Sequence, residues 1–352
     1  MKKFKNRISP QEAIELFNEK DLLKLGRLAT NAKERFHTNN SPITFVVDRN
    51  INYTNICACK CKFCAFYKLQ NGENAYVLDY QQVKEKIDEL VVQNGTQILL
   101  QGGLNPDLSF EYYTDLISNI RKDFPELTIH AFSPPEIMFM AKKQNASIKE
   151  ILQELIRAGL SSLPGGGAEI LSDNIRKKIS PNKITSDEWL SVMKEAHYLG
   201  LKTTATMVFG FGEDYKDIIE HLSRIRDLQD ETGGFTAFIP WSFQPDNTEL
   251  SASNIRKTTP YDYLRVLAIS RIFLDNIKNI QASWVTQGIK VAQTSLCFGT
   301  NDFGGTMLEE NVVRAAGTIN RTNKDEIVQA IKNAGYVAAQ RNTAYEIIKT
   351  YN

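Results

Sequence analysis

Hydrophobic and polar positions alternate along this chain in two rhythms that take turns. Short apolar runs rich in β-branched residues end in Gly, Ser, Pro or Asn: 43–55, 96–103, 127–135, 161–167, 202–212, 235–243 and 280–285. Longer amphipathic runs lie between them, at 80–94, 110–122, 147–158, 187–199, 215–229 and 260–276. The run 187–199 shows the helical period through Trp189, Val192, Met193, Ala196 and Leu199, and Gly200 follows as a stop signal. Strands alternating with helices predict βα units and a parallel sheet. Seven or eight such units in about 300 residues favour an α/β fold of the (β/α) TIM-barrel type over an open sheet. Residues 1–40 read as an N-terminal helical cap, 41–325 as the barrel, and 326–352 as a final helix and tail packed on it.

Composition narrows the classes. The formal charge is +1, with no basic block, so nothing argues for nucleic acid or an anionic membrane. The first residues are charged but lack the apolar run of a secretory signal, and no stretch approaches a membrane span. The expectation is a cytoplasmic protein with reduced thiols.

In a barrel of this type the chemistry sits where strands end. There the chain places "NICACKCKFCAFYK" after the first run, "QGGLNP" after the second, "SPPE" after the third and "PGGGAE" after the fourth. Four of the five cysteines fall within residues 57–64. Structural zinc usually takes two separated Cys/His pairs, and no second pair exists: Cys297 stands alone and the four histidines are scattered. A disulfide framework does not suit the compartment. Iron–sulfur ligation remains. Cys297 reads as a small core residue on an apolar stretch.

With the spacing Cys57-x3-Cys61-x2-Cys64, the sequence resembles the radical S-adenosylmethionine enzymes. The resemblance implies a [4Fe–4S] cluster held by Cys57, Cys61 and Cys64, with one iron open to chelation by S-adenosylmethionine. It implies further that Phe63 lies near the adenine and that Gly102 and Gly103 form the turn facing the methionine amine. Ser133 is a candidate for a ribose hydroxyl or a carboxylate. Glu169 is a candidate for the cofactor ribose, or else a carboxylate at a helix N-terminus. Cys59 is either a spare ligand or a plain loop residue. As fourth ligand it would fit an electron carrier or sensor, which needs no barrel-sized cavity.

About residues 40–345 resemble one subgroup, that of the futalosine route to menaquinone and of the deazaflavin chromophore. The marks are "NINYTNIC", "CKFCAFY", "SPPEI", "SLPGGGAEI" and "NDFGGTMLEENVV". The segments "DRNINYTN", "IPWSFQPDNTEL", "SWVTQG" and "AQRNTAY" point to its ring-closing branch. The alternatives are the aminofutalosine and deazaflavin branches. The implied partners are a small-molecule substrate, dehypoxanthine futalosine, and an electron donor such as flavodoxin or ferredoxin. Asp302, beside Asn301, is the candidate for the sugar hydroxyls and for proton removal, or else an Asx turn. His130 is a second catalytic candidate, or else a satisfied core histidine. Arg341 is the candidate for the substrate carboxylate. Trp241, Phe243 and Trp284 line either the barrel mouth or the core.

Overall fold

The amphipathic run at 187–199 forms the helix Ser186–Tyr198. Thr185 and Glu188 close a reciprocal capping box at its start, which satisfies two amide donors that the helix leaves unpaired. Trp189, Val192, Met193 and Ala196 are buried, and Gly200 takes φ +87°, open to glycine at little cost. The computed structural model describes residues 7–351 apart from 39 and 254. Most of the other expected helices appear in the same way, among them Tyr80–Val92, Phe110–Asp123, Ile148–Ala158, Tyr215–Thr232 and Pro260–Phe273.

The strands are β1 (Ile43–Val46), β2 (Asp48–Ile51), β3 (Gln97–Leu100), β4 (Thr128–Ala131), β5 (Ser162–Leu163) and β6 (Lys202–Phe209). They continue with β7 (Phe235–Ser242), β8 (Asn279–Ile280), β9 (Asp302–Gly305), β10 (Ala338–Arg341) and β11 (Ile347–Tyr351). Strands β2 to β8 lie side by side in chain order, each pair parallel. Parallel neighbours need a crossover, and the helices supply it. A bridge from Gln281 to Asp302 carries the ladder from β8 to β9. Strand β9 pairs with β1, which runs into β2. The ladder so returns to its start, giving a TIM-type (β/α) barrel.

Alternation along the strands decides what faces the axis. Val46, Asp48 and Asn50 face the interior, as do Gln97, Leu99 and Gln101 from β3 and its end, and Thr204, Thr206 and Val208 from β6. The intervening residues, such as Ile98, Leu100, Ala205 and Met207, are buried against the helices. The inner wall is therefore unusually polar at one end, and that end carries the site.

Both ends of the chain differ in part from expectation. Within 1–40, two helices form, Pro10–Leu16 and Leu22–Lys33, and both pack on Pro260–Phe273. Residues 1–6 of that cap lie outside the described residues. The expected final helix is Lys324–Asn333. The tail is not an external appendage: β10 pairs parallel with β1, and β11 lies antiparallel on β10. All four residues of β10 are buried. Among the described residues no helix is long and apolar enough to cross a membrane.

Candidate active site

The loop after β2 is pinned before it is decorated. Asn55 donates from Nδ2 to the Asn74 carbonyl (2.8 Å) and accepts from the Tyr76 amide (2.9 Å). The Cys57 amide donates to the Lys68 carbonyl, and the Lys68 amide to the Asn55 carbonyl. On the far side, the Lys62 amide reaches the Ile179 carbonyl and Asn182 reaches the Cys59 carbonyl. "NYTN" is thus a polar hinge whose hydrogen bonds fix where the cysteines stand.

Cys57, Cys61 and Cys64 all line one cavity of about 420 Å³, and Cys59 joins them there. Among the described residues, no three His, Cys, Asp or Glu side chains converge closely enough for a single metal ion. A cubane takes its ligands at separate corners, so thiols spread around a loop suit a cluster. Burial pushes the Cys57 thiol up and the Cys64 thiol up to about 11. Cys61 is lowered to about 7, first by its hydrogen bond with Cys59 (Sγ–Sγ 3.6 Å) and then by the Lys183 ammonium. The same bond, with burial, holds the Cys59 thiol well above its usual value. Cys297 is exposed, against the expectation of a core residue.

Gly102 and Gly103 face the same cavity. A Cβ at Gly103 would stand 2.2 Å from the Ile56 carbonyl oxygen and 2.9 Å from the Cys57 Cβ. Backbone meets backbone there, so nothing flexible can yield. Gly103→Ala should destabilise the fold by about 1–3 kcal/mol in urea unfolding. It should also lower the iron bound per chain after reconstitution. A variant with wild-type stability and iron content would contradict the contact.

Ser133 caps the helix Pro134–Gln144, and its hydroxyl donates to Glu136 Oε2 (2.6 Å). That proton is committed, so the expected donor to a ribose or carboxylate is spoken for. Glu136, buried, also accepts from Tyr53 and the Gly102 amide; burial still raises its pKa. Glu169 is not a helix-start carboxylate, because the next helix is Asp173–Ile179 with Ser172 at its cap. It holds φ +38°, and its Oε1 accepts from Lys183 (2.8 Å). Its Oε2 is buried without a hydrogen-bond partner, although Arg176 Nη1 lies 3.5 Å away. A buried, unspent acceptor on the cavity wall fits a ligand hydroxyl. Phe63 lines the wall beside it, 5.6 Å from the Phe211 ring centre, with the Lys183 ammonium 5.3 Å from its own. Burial opposes the Lys183 charge, but Cys61 and Glu169 outweigh it and raise its pKa. Lys183, in the loop "SPNK", had no motif to announce it.

The opposite wall revises several expectations. Asn301 is buried and off the cavity: it accepts from Arg271 and the Ile280 amide, and donates to Asn279. It braces the β8–β9 junction and presents nothing to a substrate. Asp302 does not line the cavity either. It is fully buried, forks with Arg341, and accepts from Thr44 and the Gly304 amide. It is the first residue of strand β9, and its bond from the Gly304 amide, two residues on, is the expected Asx-type contact. Arg341 does line the cavity, but Nε and Nη2 serve Asp302 and Nη1 serves the Asn342 carbonyl. No fork remains free for a substrate carboxylate. Tyr345 stacks 3.9 Å from the Arg341 guanidinium and accepts from Gln281.

His130 faces the cavity. Ser162 gives its proton to the Lys202 carbonyl, so His130 Nδ1 must donate to Ser162 Oγ (2.8 Å), leaving Nε2 without a proton. Burial lowers its pKa to about 3, so it is a neutral acceptor and a poor base. Trp241 and Phe243 line the cavity, while Trp284 is buried and donates to the Gly305 carbonyl. One acid escaped the sequence reading. Asp48 sits on the wall, buried, with burial lifting its pKa to about 6. A lone acid in the apolar run "ITFVVDRNI" was its only signal.

A cysteine loop after the first barrel strand, facing a polar interior, defines the class. Residues 51–225 match the radical SAM superfamily and residues 232–352 match the CofH/MqnC C-terminal region. The chain belongs to the radical SAM superfamily and is an enzyme of that kind, a family that implies a [4Fe–4S] cluster and S-adenosylmethionine.

Among particular proteins, it is 49% identical to the cyclic dehypoxanthine futalosine synthase of Halalkalibacterium halodurans, over 98% of this chain and 92% of the relative. It is 41% identical to the 5-amino-6-(D-ribitylamino)uracil–L-tyrosine 4-hydroxyphenyl transferase of Methanopyrus kandleri, over 88% and 85%. Methylornithine synthase shares the fold at TM-score 0.73 and 17% identity, covering 94% of both chains.

Proposed function

We propose that this chain closes a carbon–carbon ring within dehypoxanthine futalosine, in menaquinone biosynthesis. The observation that carries the reading is its 49% identity to a synthase named for that product, over nearly the whole of both chains. The cavity is compatible with it, since one enclosure joins the cysteine loop to the buried acid Asp48.

Cys57, Cys61 and Cys64 would hold the cluster, with Cys59 left as a hydrogen-bond partner. Glu169 Oε2 would accept from the cofactor ribose, and Phe63 would pack on the adenine. When bound, the cluster and S-adenosylmethionine supply a 5′-deoxyadenosyl radical for hydrogen abstraction. The chain's own task is to hold the substrate sugar C4′ beside that point and its benzoate ring within reach of C4′. Phe63 and Phe243 on the wall, with Phe211 packed against both rings, would exclude water from the radical. An external one-electron donor of the flavodoxin or ferredoxin kind would reduce the cluster.

The test is anaerobic turnover of the reconstituted, dithionite-reduced enzyme with S-adenosylmethionine. One sample receives dehypoxanthine futalosine; another receives tyrosine and the ribitylaminouracil. Conversion of the first to a product two hydrogens lighter supports cyclisation. Coupling in the second sample, with the first unchanged, would move the chain to the transferase branch.

A further inference from the structure

Ring closure leaves a proton to be removed, and the residues first expected to take it do not fit. Asp302 is off the cavity and paired with Arg341; His130 is held neutral and weakly basic. Glu136 already accepts from Tyr53, Ser133 and the Gly102 amide. Glu169 gives Oε1 to Lys183, and its unpartnered Oε2 is the oxygen assigned to the cofactor ribose. Glu310, also on the wall, accepts from three successive amides, those of Val312, Val313 and Arg314.

Asp48 differs from all of these. Strand alternation turns it to the interior with Val46 and Asn50. Its Oδ1 accepts from the Met307 amide (2.8 Å), which fixes the carboxylate plane. Its Oδ2 has only Gln97 Nε2, at 3.5 Å, the limit of a hydrogen bond. Among the described residues no Lys or Arg forms an ion pair with it. Room for it is made by Gly305, where a Cβ would stand 2.3 Å from both carboxylate oxygens. A side chain there would displace the acid, so strand β9 is shaped around it.

We infer that Asp48 is the catalytic base of the cyclisation, its Oδ2 taking the proton that the substrate's ring carbon releases. The inference rests on the proposed ring closure. In that step the C4′–H bond breaks and its hydrogen leaves in 5′-deoxyadenosine. The C4′–ring carbon bond forms. The resulting ring radical gives one electron to a one-electron acceptor of the iron–sulfur class and one proton to Asp48, and aromaticity returns. The charged groups acting on Asp48 are Arg341, which favours the carboxylate, and Asp302, which opposes it; burial outweighs both. The acid therefore holds its proton below about pH 6 and is a base above it. A group titrating near the working pH is suited to proton transfer.

Asp48→Asn keeps the size of the side chain and the acceptor for Met307 while removing the base. The experiment measures 5′-deoxyadenosine and cyclised product together, for wild type and variant, across pH 5 to 8. In the variant, 5′-deoxyadenosine should persist while product per 5′-deoxyadenosine falls on the order of a hundredfold. Freeze-quench EPR should show a ring-centred radical building up. In wild type the same ratio should fall as pH drops through about 6, and in the variant it should be flat. Asp48→Glu should recover part of it. An unchanged ratio in Asp48→Asn, or a parallel loss of both products, overturns the assignment. A wild type that makes 5′-deoxyadenosine but never converts the substrate defeats the parent reading, and this one with it.

Discussion

Replacing Cys57, Cys61 or Cys64 by alanine, one at a time, removes 5′-deoxyadenosine formation, whereas Cys59→Ala keeps it. Loss of a group that the chemistry needs outright costs a thousandfold or more, on the order of what single knockouts of a catalytic unit cost. The argument for sparing Cys59 is geometric and chemical. Its Sγ lies 3.6 Å from Cys61 and shares a thiol–thiol hydrogen bond with it. Once iron is bound, a coordinating thiol is deprotonated by the metal itself, and that thiol–thiol bond is no longer needed. Iron content, visible absorption and EPR of the reduced enzyme separate lost cluster from lost turnover. A Cys59→Ala protein that cannot assemble a cluster, or an active Cys57→Ala protein, would make Cys59 a ligand and reopen the carrier reading.

Arg341→Leu unfolds more readily than wild type by about 3–5 kcal/mol, the usual cost of stripping one partner from a buried pair. Asp302 is fully buried, and Arg341 supplies both prongs of its fork. Without the guanidinium, Asp302 and Asp48 remain as two buried carboxyls that repel. Asp48, whose pKa burial and Asp302 already raise, would then lose the opposing pull of Arg341 and hold its proton still more tightly in the folded state than in the unfolded chain. Stability gained that way is present at low pH and lost as pH rises, so the variant should be more stable near pH 5 than near pH 8. Asp302→Leu with Arg341→Leu should recover much of the loss, since the uncompensated charge is gone. Urea midpoints at the two pH values decide it. A single variant as stable as wild type, or one steadied by rising pH, would mean that the pair carries little.

Where the sequence could be read, it was because a local pattern and the tertiary fold agreed. The helix Ser186–Tyr198 has its period, its capping box and its glycine stop in thirteen residues and their flanks. The cysteine loop is legible because thiols at that spacing have few other uses. What escaped was short or plain. Strand β9, "DFGG", is wholly buried and so shows no alternation, and its glycines read as a turn. Strand β10, "AAQR", lacks β-branched residues and is made a strand only by its place beside β1. The helix Pro134–Gln144 opens on two prolines, which suit a first turn but punctuate a sequence.

Site residues divide along the same line. Phe63, Gly102, Gly103 and the three cysteines sit on the cavity because a contiguous motif put them there. Asn301, Asp302 and Arg341 stand out as polar letters in the last segments, but their partners are remote in sequence: Asp302 and Arg341 pair with each other, and Asn301 is spent on Arg271 and Asn279. Asp48 is the converse case. Its meaning depends on an inward register, a bare Gly305 and an unfilled Oδ2, none of which one strand can reveal.

The decisive measurement is the fate of deuterium placed at C4′ of dehypoxanthine futalosine, followed by mass spectrometry of both products in one anaerobic turnover. Transfer of the label into 5′-deoxyadenosine, with a cyclised product that has lost it, is the result expected. Label retained in a converted substrate, or 5′-deoxyadenosine that carries only solvent or cofactor hydrogen, would contradict ring closure from C4′ in this barrel.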